Sequence, residues 1–284
     1  MQLQLTFDYN ALRDLIFEKE ILDDRSRKRN THSLLLETSY DISARFSVSL
    51  LLSTVIQERQ ILTQAQVWDL TRNTGLGDAI LLLRYNLLPL KAGYPHVWMV
   101  GLGPKAPFGR SDHTDSRGIL LPADLQPGTG SWDALLWTAY TYQGLWNPTA
   151  SFSLTASYQY TTASQRFGGQ QQYQFGRAFQ IQAGIQDRVS LGPLILDPLI
   201  SLQYRRVGAD EIDQIIIENT GGEWLALSPG LNINLGKTSA VRISGDWTFW
   251  RKLTGLQLST TYRLRAAVYF LLATQPAASP FPLN

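Results

Sequence analysis

Ser151 to Tyr160 reads SFSLTASYQY. Phe152, Leu154, Ala156, Tyr158 and Tyr160 occupy alternate positions, and Ser151, Ser153, Thr155, Ser157 and Gln159 fill the places between. A period of two assigns the two sets to opposite faces of a pleated strand. The apolar face ends in aromatic rings and the polar face carries no charge. The same alternation recurs about twelve times along the chain, with connections that alternate short and long. That pattern specifies an all-β, antiparallel up-and-down transmembrane β-barrel of about twelve strands.

Working outward, strands are expected at Leu3 to Leu15, Ser33 to Tyr40, Phe46 to Ile56, Asp78 to Leu88, His96 to Lys105 and Ser131 to Gln143. Beyond Ser151 to Tyr160, an eighth strand ends at Arg188. Others follow at Leu194 to Arg206, Leu225 to Leu235, Ala240 to Trp250 and Gln257 to Leu271. Polar connections at Glu18 to Arg29, Gln57 to Gly77, Ala106 to Gly130, Gly168 to Gln174 and Gly208 to Glu223 are long. Those near Asp41 to Ala44, Pro89 to Pro95, Leu145 to Pro148, Leu191 to Pro193 and Gly236 to Ser239 are short. Long loops face outward and short turns face the periplasm in bacterial barrels, which puts both termini in the periplasm. A soluble β-sandwich also alternates faces, but strands of ten or more residues exceed the ~5–6 usual in soluble sheets.

Composition agrees with this reading. The chain has 284 residues and is 44% hydrophobic, with a mean hydropathy of −0.12. Only alternate residues of a barrel strand meet lipid, so modest hydropathy is expected. Eight Trp and twelve Tyr suit the aromatic belts at membrane interfaces. Without cysteine, disulfides and thiolate metal sites are excluded. The net charge of +2, with both signs intermixed, offers no basic face for nucleic acid. Met1 leads into QLQLTFDY with neither a basic nor an apolar leader segment, so the numbering is read as that of a mature chain. Residues 1–272 form the barrel and 273–284 a Pro/Ala-rich periplasmic tail, extended in character.

Two segments carry a resemblance. Gly75-Leu76-Gly77-Asp78 introduces AILLLRYNLL, and GLGPKAPFGRSD (Gly101 to Asp112) precedes LPADLQPGTGSWDALLWTAY (Leu121 to Tyr140). Together they resemble the outer-membrane β-barrel family named after phenol-degradation meta-pathway proteins. Lys105, Pro107, Gly109, Gly128, Gly130 and Asp133 are the matching positions. The resemblance implies an outer-membrane barrel that transports hydrophobic or aromatic compounds. It brings no catalytic role. Independently, glycines where a loop meets a strand permit backbone conformations closed to other residues.

Alternation points Arg84, Arg205, Arg242, Arg263 and Arg265 into the lumen, with Glu37, Asp78, Asp133, Asp197 and Asp246. On the lipid face an Arg at the bilayer midplane would cost ~2–4 kcal/mol. Mixed signs suggest salt bridges across the lumen rather than strong ion selectivity. Leu51, Val55, Ile80, Leu82, Leu135 and Trp137 point inward too. Such a lumen either suits an amphipathic or aromatic solute or packs beneath an inward-folded Ala106 to Gly130 loop. Asp78 and Asp133 either contact solute or meet a lumenal Arg in a structural lock.

The solute-pathway candidates are Arg84, Asp78, Asp133, Trp137, Arg205, Arg242, Asp246, Arg263 and Arg265. Enzyme chemistry is not expected: His32, His96 and His113 are dispersed and none has a nucleophilic serine in a recognisable setting. Acidic residues at Asp112, Asp115, Asp210, Glu211 and Asp213 read as solvated loop charges rather than a calcium site. No cofactor or metal is expected. The partners are outer-membrane lipid and a small solute. The function read from this is passive solute passage through a monomeric outer-membrane channel. The alternative is a structural barrel that docks protein partners through its loops or tail.

Overall fold

A computed structural model describes residues 1–88, 94–164, 167 and 171–272; the tail at 273–284 lies outside them. The wall is built from β1 (Gln2–Phe17), β2 (Arg27–Asp41), β3 (Phe46–Leu62), β4 (Ala79–Leu88), β5 (His96–Ala106) and β6 (Asp133–Gln143). It continues through β7 (Ser151–Tyr160), β8 (Ala178–Gln186), β9 (Leu194–Val207), β10 (Gly222–Asn234), β11 (Ser239–Leu253) and β12 (Leu256–Leu271). Each strand pairs antiparallel with its sequence neighbours. β1 pairs with β12 from Gln2↔Leu271 to Phe17↔Leu256, so the twelve strands close on themselves. Closure leaves no free edge, so every wall strand finds hydrogen-bond partners on both sides, which lipid cannot supply.

The outer face is banded. Leu5, Leu34, Leu50, Leu52, Leu81, Leu83, Leu102, Leu136, Ile200, Leu202 and Leu264 are exposed on it. Tyr40, Phe46, Trp98 and Phe270 ring the short-turn end; Tyr160, Trp247, Phe249 and Tyr262 ring the long-loop end. Aliphatic side chains between two aromatic girdles match the hydrocarbon slab and its two interfaces. No helix of the described residues is long and apolar enough to cross a membrane; the strands do the crossing.

The wall is uneven in height. β1, β2 and β3 run to 16, 15 and 17 residues, more than the ~9–11 needed to cross the bilayer. β4 to β8 run to only 9–11 residues. Above the membrane β3 exchanges partner: Phe46 to Leu51 pair with β4, whereas Thr54 to Leu62 pair with an extra strand, Trp68–Leu76. The Gln57 to Gly77 stretch, expected as a loop, is therefore mostly sheet. One side of the extra strand carries the exposed Trp68, Leu70 and Leu76, and the other sets Asn73 and Gly75 against the β5–β6 loop, so the strand lacks the apolar-out, polar-in register of the wall.

On the low side, the β5–β6 loop folds over the mouth. Its short 3₁₀ turn, Ala123–Leu125, is buried at Ala123 and Leu125. Ala123 packs with Phe167 and Tyr173, joined by Leu120, Phe175, Ile212 and Ile217. These residues come from the β5–β6, β7–β8 and β9–β10 loops, and a small three-stranded sheet ties the last two together (Tyr173–Gln174, Glu211–Ile212, Ile215–Ile216).

Candidate functional site

Lys105 ends β5 pointing inward, directly opposite Asp133 at the start of β6. Its Nζ lies 2.7 Å from Asp78 Oδ2 and 2.8 Å from Asp133 Oδ2, and all three side chains are buried. Lys105 also donates to Thr129 Oγ1. Asp78 accepts from the N–H groups of Gly109 (3.1 Å) and Thr129 (3.0 Å) and from the Thr129 hydroxyl (2.7 Å). Asp133 accepts from Ser131 Oγ (3.1 Å), Gln159 Nε2 (2.8 Å) and the Thr162 N–H (3.1 Å). A buried ion cluster is tolerable only when its charges and lone pairs are matched this fully. The two aspartates thus meet a lysine, not the lumenal arginine expected, and clamp both roots of the β5–β6 loop. Gly109 and Gly128 cross there so closely that a Cβ on Gly109 would sit 2.5 Å from Gly128 Cα.

The clamped loop is held at its far end as well. Asp124, on the 3₁₀ turn, pairs with Arg29 on β2, and Asn73 Nδ2 donates to Leu125 O at 2.7 Å. Gln126 and His113 exchange bonds inside the loop, and His113 contacts Asn73. On the other flank the Tyr173 hydroxyl donates to Asp210 at 2.5 Å. Burial pushes the Tyr173 hydroxyl pKa up, and the adjacent carboxylate adds to it. Burial likewise raises the Asp210 carboxyl above its usual range, although bonds from Tyr173 and Gly176 oppose the shift.

Below the loop the lumen carries cross-strand ion pairs. Arg263 meets Asp8 at 2.7 Å, Arg265 meets Asp246, Arg251 meets Asp14 at 2.8 Å and Arg188 meets Asp197 at 2.8 Å. Ser228 Oγ donates to Asp246 at 2.6 Å. A cavity of about 240 Å³ opens between β1, β2 and β9 to β12, with Arg29, Arg205, Trp224, Asp246 and Arg263 among its lining and Leu12, Ala226 and Leu258 as apolar wall. Arg205 lies over the Trp224 ring at 5.5 Å, and Trp224 Nε1 donates to Ser259 Oγ at 3.1 Å.

The fold divides the nine sequence candidates among four places. Arg205, Asp246 and Arg263 line the cavity, with Arg265 attached through Asp246. Arg242 donates to Asn232 Oδ1 at 2.5 Å and lies over Tyr269 at 5.5 Å. Arg84 and Trp137 stand on inward positions of β4 and β6, each cross-strand from Gly101. Asp78 and Asp133 belong to the lysine clamp. The inward apolar residues Leu82 and Leu135 flank that side, Leu82 packing within reach of Gly101. Trp224, Arg29, Asp8 and Asp124 were missed. Strand parity was a usable signal for Trp224, since Leu225 faces lipid and its neighbour must face in; no local signal marks Asp124. Among the described residues no group of three or more His, Asp or Glu is placed to hold a metal.

A profile of the family described as "Putative MetA-pathway of phenol degradation" matches residues 24–264. The chain belongs to this family. As a member it is also similar in fold to an outer membrane channel from Pseudomonas putida F1, at 14% identity and TM-score 0.73, covering 95% of each chain. The beta domain of a Bordetella autotransporter matches at 11% identity and TM-score 0.50, over 95% of this chain and 98% of that one. No curated protein matches the sequence. The family member is an outer-membrane β-barrel, its long loops outside and its short turns in the periplasm.

Proposed function

We propose that this family member is a channel of the bacterial outer membrane through which small solutes, hydrophobic or aromatic in character, pass without energy input. One observation carries the reading. The lumen holds a cavity that is part charged and part apolar, and the cover above it is a loop of the barrel itself. A barrel that served only as an anchor would need no such space, and core packing would fill it. The family and the channel from Pseudomonas putida F1 support the reading by likeness.

Purified barrel in planar bilayers should show discrete conductance steps, and liposomes carrying it should take up small aromatic solutes faster than empty ones. A folded barrel that shows neither current nor uptake would overturn the proposal. A docking role has one observation of its own: Ile215 and Ile216, at the hairpin of the outer cap, are 72% and 65% exposed. Their substitution by Ser should abolish partner capture if docking is the function, and should leave conductance unchanged if it is not.

A further inference from the structure

The charges lining the lumenal cavity can be counted. Three guanidiniums face it: Arg29, Arg205 and Arg263. Arg29 is matched by Asp124 and Arg263 by Asp8. The carboxylate on the cavity wall, Asp246, is matched by Arg265. Arg205 alone of these has no carboxylate within ion-pair distance among the described residues, which include all of the chain's Asp and Glu side chains. It lies instead over the Trp224 ring, whose indole N–H donates to the Ser259 hydroxyl. The cavity therefore carries one positive charge in excess. That charge is pre-oriented over an indole and stands beside the apolar walls of Leu12, Ala226 and Leu258.

We propose that Arg205 and its cavity form a binding site for small aromatic carboxylates, the carboxylate pairing with the guanidinium and the ring lying on the apolar wall. The inference rests on the channel reading and names the solute class for it. A guanidinium presents a fork of N–H donors that fits a carboxylate in a bidentate way. Arg205 is exposed to the open space of the lumen, so a carboxylate can reach it, and the pairing exceeds that in bulk water only as far as the surrounding wall lowers the effective dielectric. Stacking on Trp224 leaves the guanidinium edge, where the donors are, available for an incoming anion. At about 240 Å³ the space is below the ~300–1,000 Å³ typical of pockets for drug-sized ligands, which favours a single-ring solute. A cationic aromatic would meet the excess positive charge, and a neutral one would leave it unpaired.

The test uses the full-length barrel in detergent and benzoate, benzyl alcohol and benzylammonium as probes. Calorimetric titration should show benzoate bound more tightly than the other two. Arg205→Gln should weaken benzoate binding by about ten- to a hundredfold, the range for losing a hydrogen-bonded charge, with benzyl alcohol unaffected. Arg205→Lys should restore part of the loss, and the circular dichroism of both variants should match the parent. In planar bilayers, wild-type barrel should prefer anions and the Arg205→Gln barrel should lose that preference. Equal binding of benzoate and benzyl alcohol, or an Arg205→Gln barrel indistinguishable from wild type, overturns the site even if the channel conducts. Absence of current with selective benzoate binding would overturn the channel reading and leave the site standing.

Discussion

Asp124 and Arg29 stand 95 residues apart in sequence and form an ion pair at the barrel mouth. Asp124 belongs to the loop that leaves the low side of the wall, and Arg29 to the tall side. Their contact turns a surface loop into a cover over the lumen. The Asp124 backbone carbonyl accepts a second bond from the same Arg29 nitrogen at 3.3 Å.

Breaking this contact should loosen the cover without unfolding the wall. Arg29→Gln is expected to increase the open fraction by about two- to fivefold, the effect of an ion pair worth about 0.5–1 kcal/mol when one partner is solvent-exposed. Single-channel recording would show longer or larger openings. Identical gating in Arg29→Gln and wild type would mean that the contact does not hold the loop.

The clamp at the loop's roots is a costlier target. Lys105→Met leaves Asp78 and Asp133 buried side by side without a cation, and removing one partner of a buried ion group typically costs about 3–5 kcal/mol. The expected result is a lower melting temperature on detergent gels. The triple variant Lys105→Met, Asp78→Asn, Asp133→Asn should regain much of the loss, since the like charges are gone. A single variant as stable as wild type would contradict the clamp.

The crossing at Gly109 and Gly128 tolerates no side chain. Gly109→Ala should cost about 1–3 kcal/mol, as overpacking does, and should expose the loop to protease at 106–130. Gly208→Ala is the control, because a Cβ there would make only ordinary contacts, 3.5 Å or more from its neighbours. Equal protease sensitivity in the two variants would argue against the close approach.

At the opposite end, Asp187 joins two periplasmic turns. It accepts from Trp146 Nε1 and Asn147 Nδ2 at 2.9 Å each and from Thr149 Oγ1 at 2.7 Å. These donors hold its pKa down from the usual 3.8 to about 2, Thr149 contributing most. Because the folded value lies below the unfolded one, the stabilisation is complete above about 3.8 and fades as pH falls toward about 2. Trp146 fluorescence should therefore titrate in that acidic window, and Asp187→Asn should remove the transition. A titration that persisted in the variant would belong to another group.

Much of the wall was legible because a strand's period is local. Phe152 and Leu154 must share a face, and in a barrel that face meets lipid, so SFSLTASYQY alone reports both strand and orientation. Even here one residue does more than parity shows: Gln159, on the uncharged polar face, donates to Asp133 in the loop clamp. The charged pairs were half legible. Arg263 and Arg265 were placed inward, but that they meet Asp8 and Asp246 depends on which strand closes against which. Trp68–Leu76 escaped notice because its covered side is Asn73 and Gly75, polar and small residues that only the folded β5–β6 loop packs against.

The sequence by itself determined the membrane-facing surface and the sorting of charge into the lumen, since both follow from nearest-neighbour geometry along each strand and from the expense of charge in lipid. Only the tertiary structure decided which charges are matched. Lys105 finds two carboxylates, Arg29 finds one on a distant loop, and Arg205 finds Trp224 instead. Those outcomes depend on barrel closure and loop folding, which bring together residues that no local period connects.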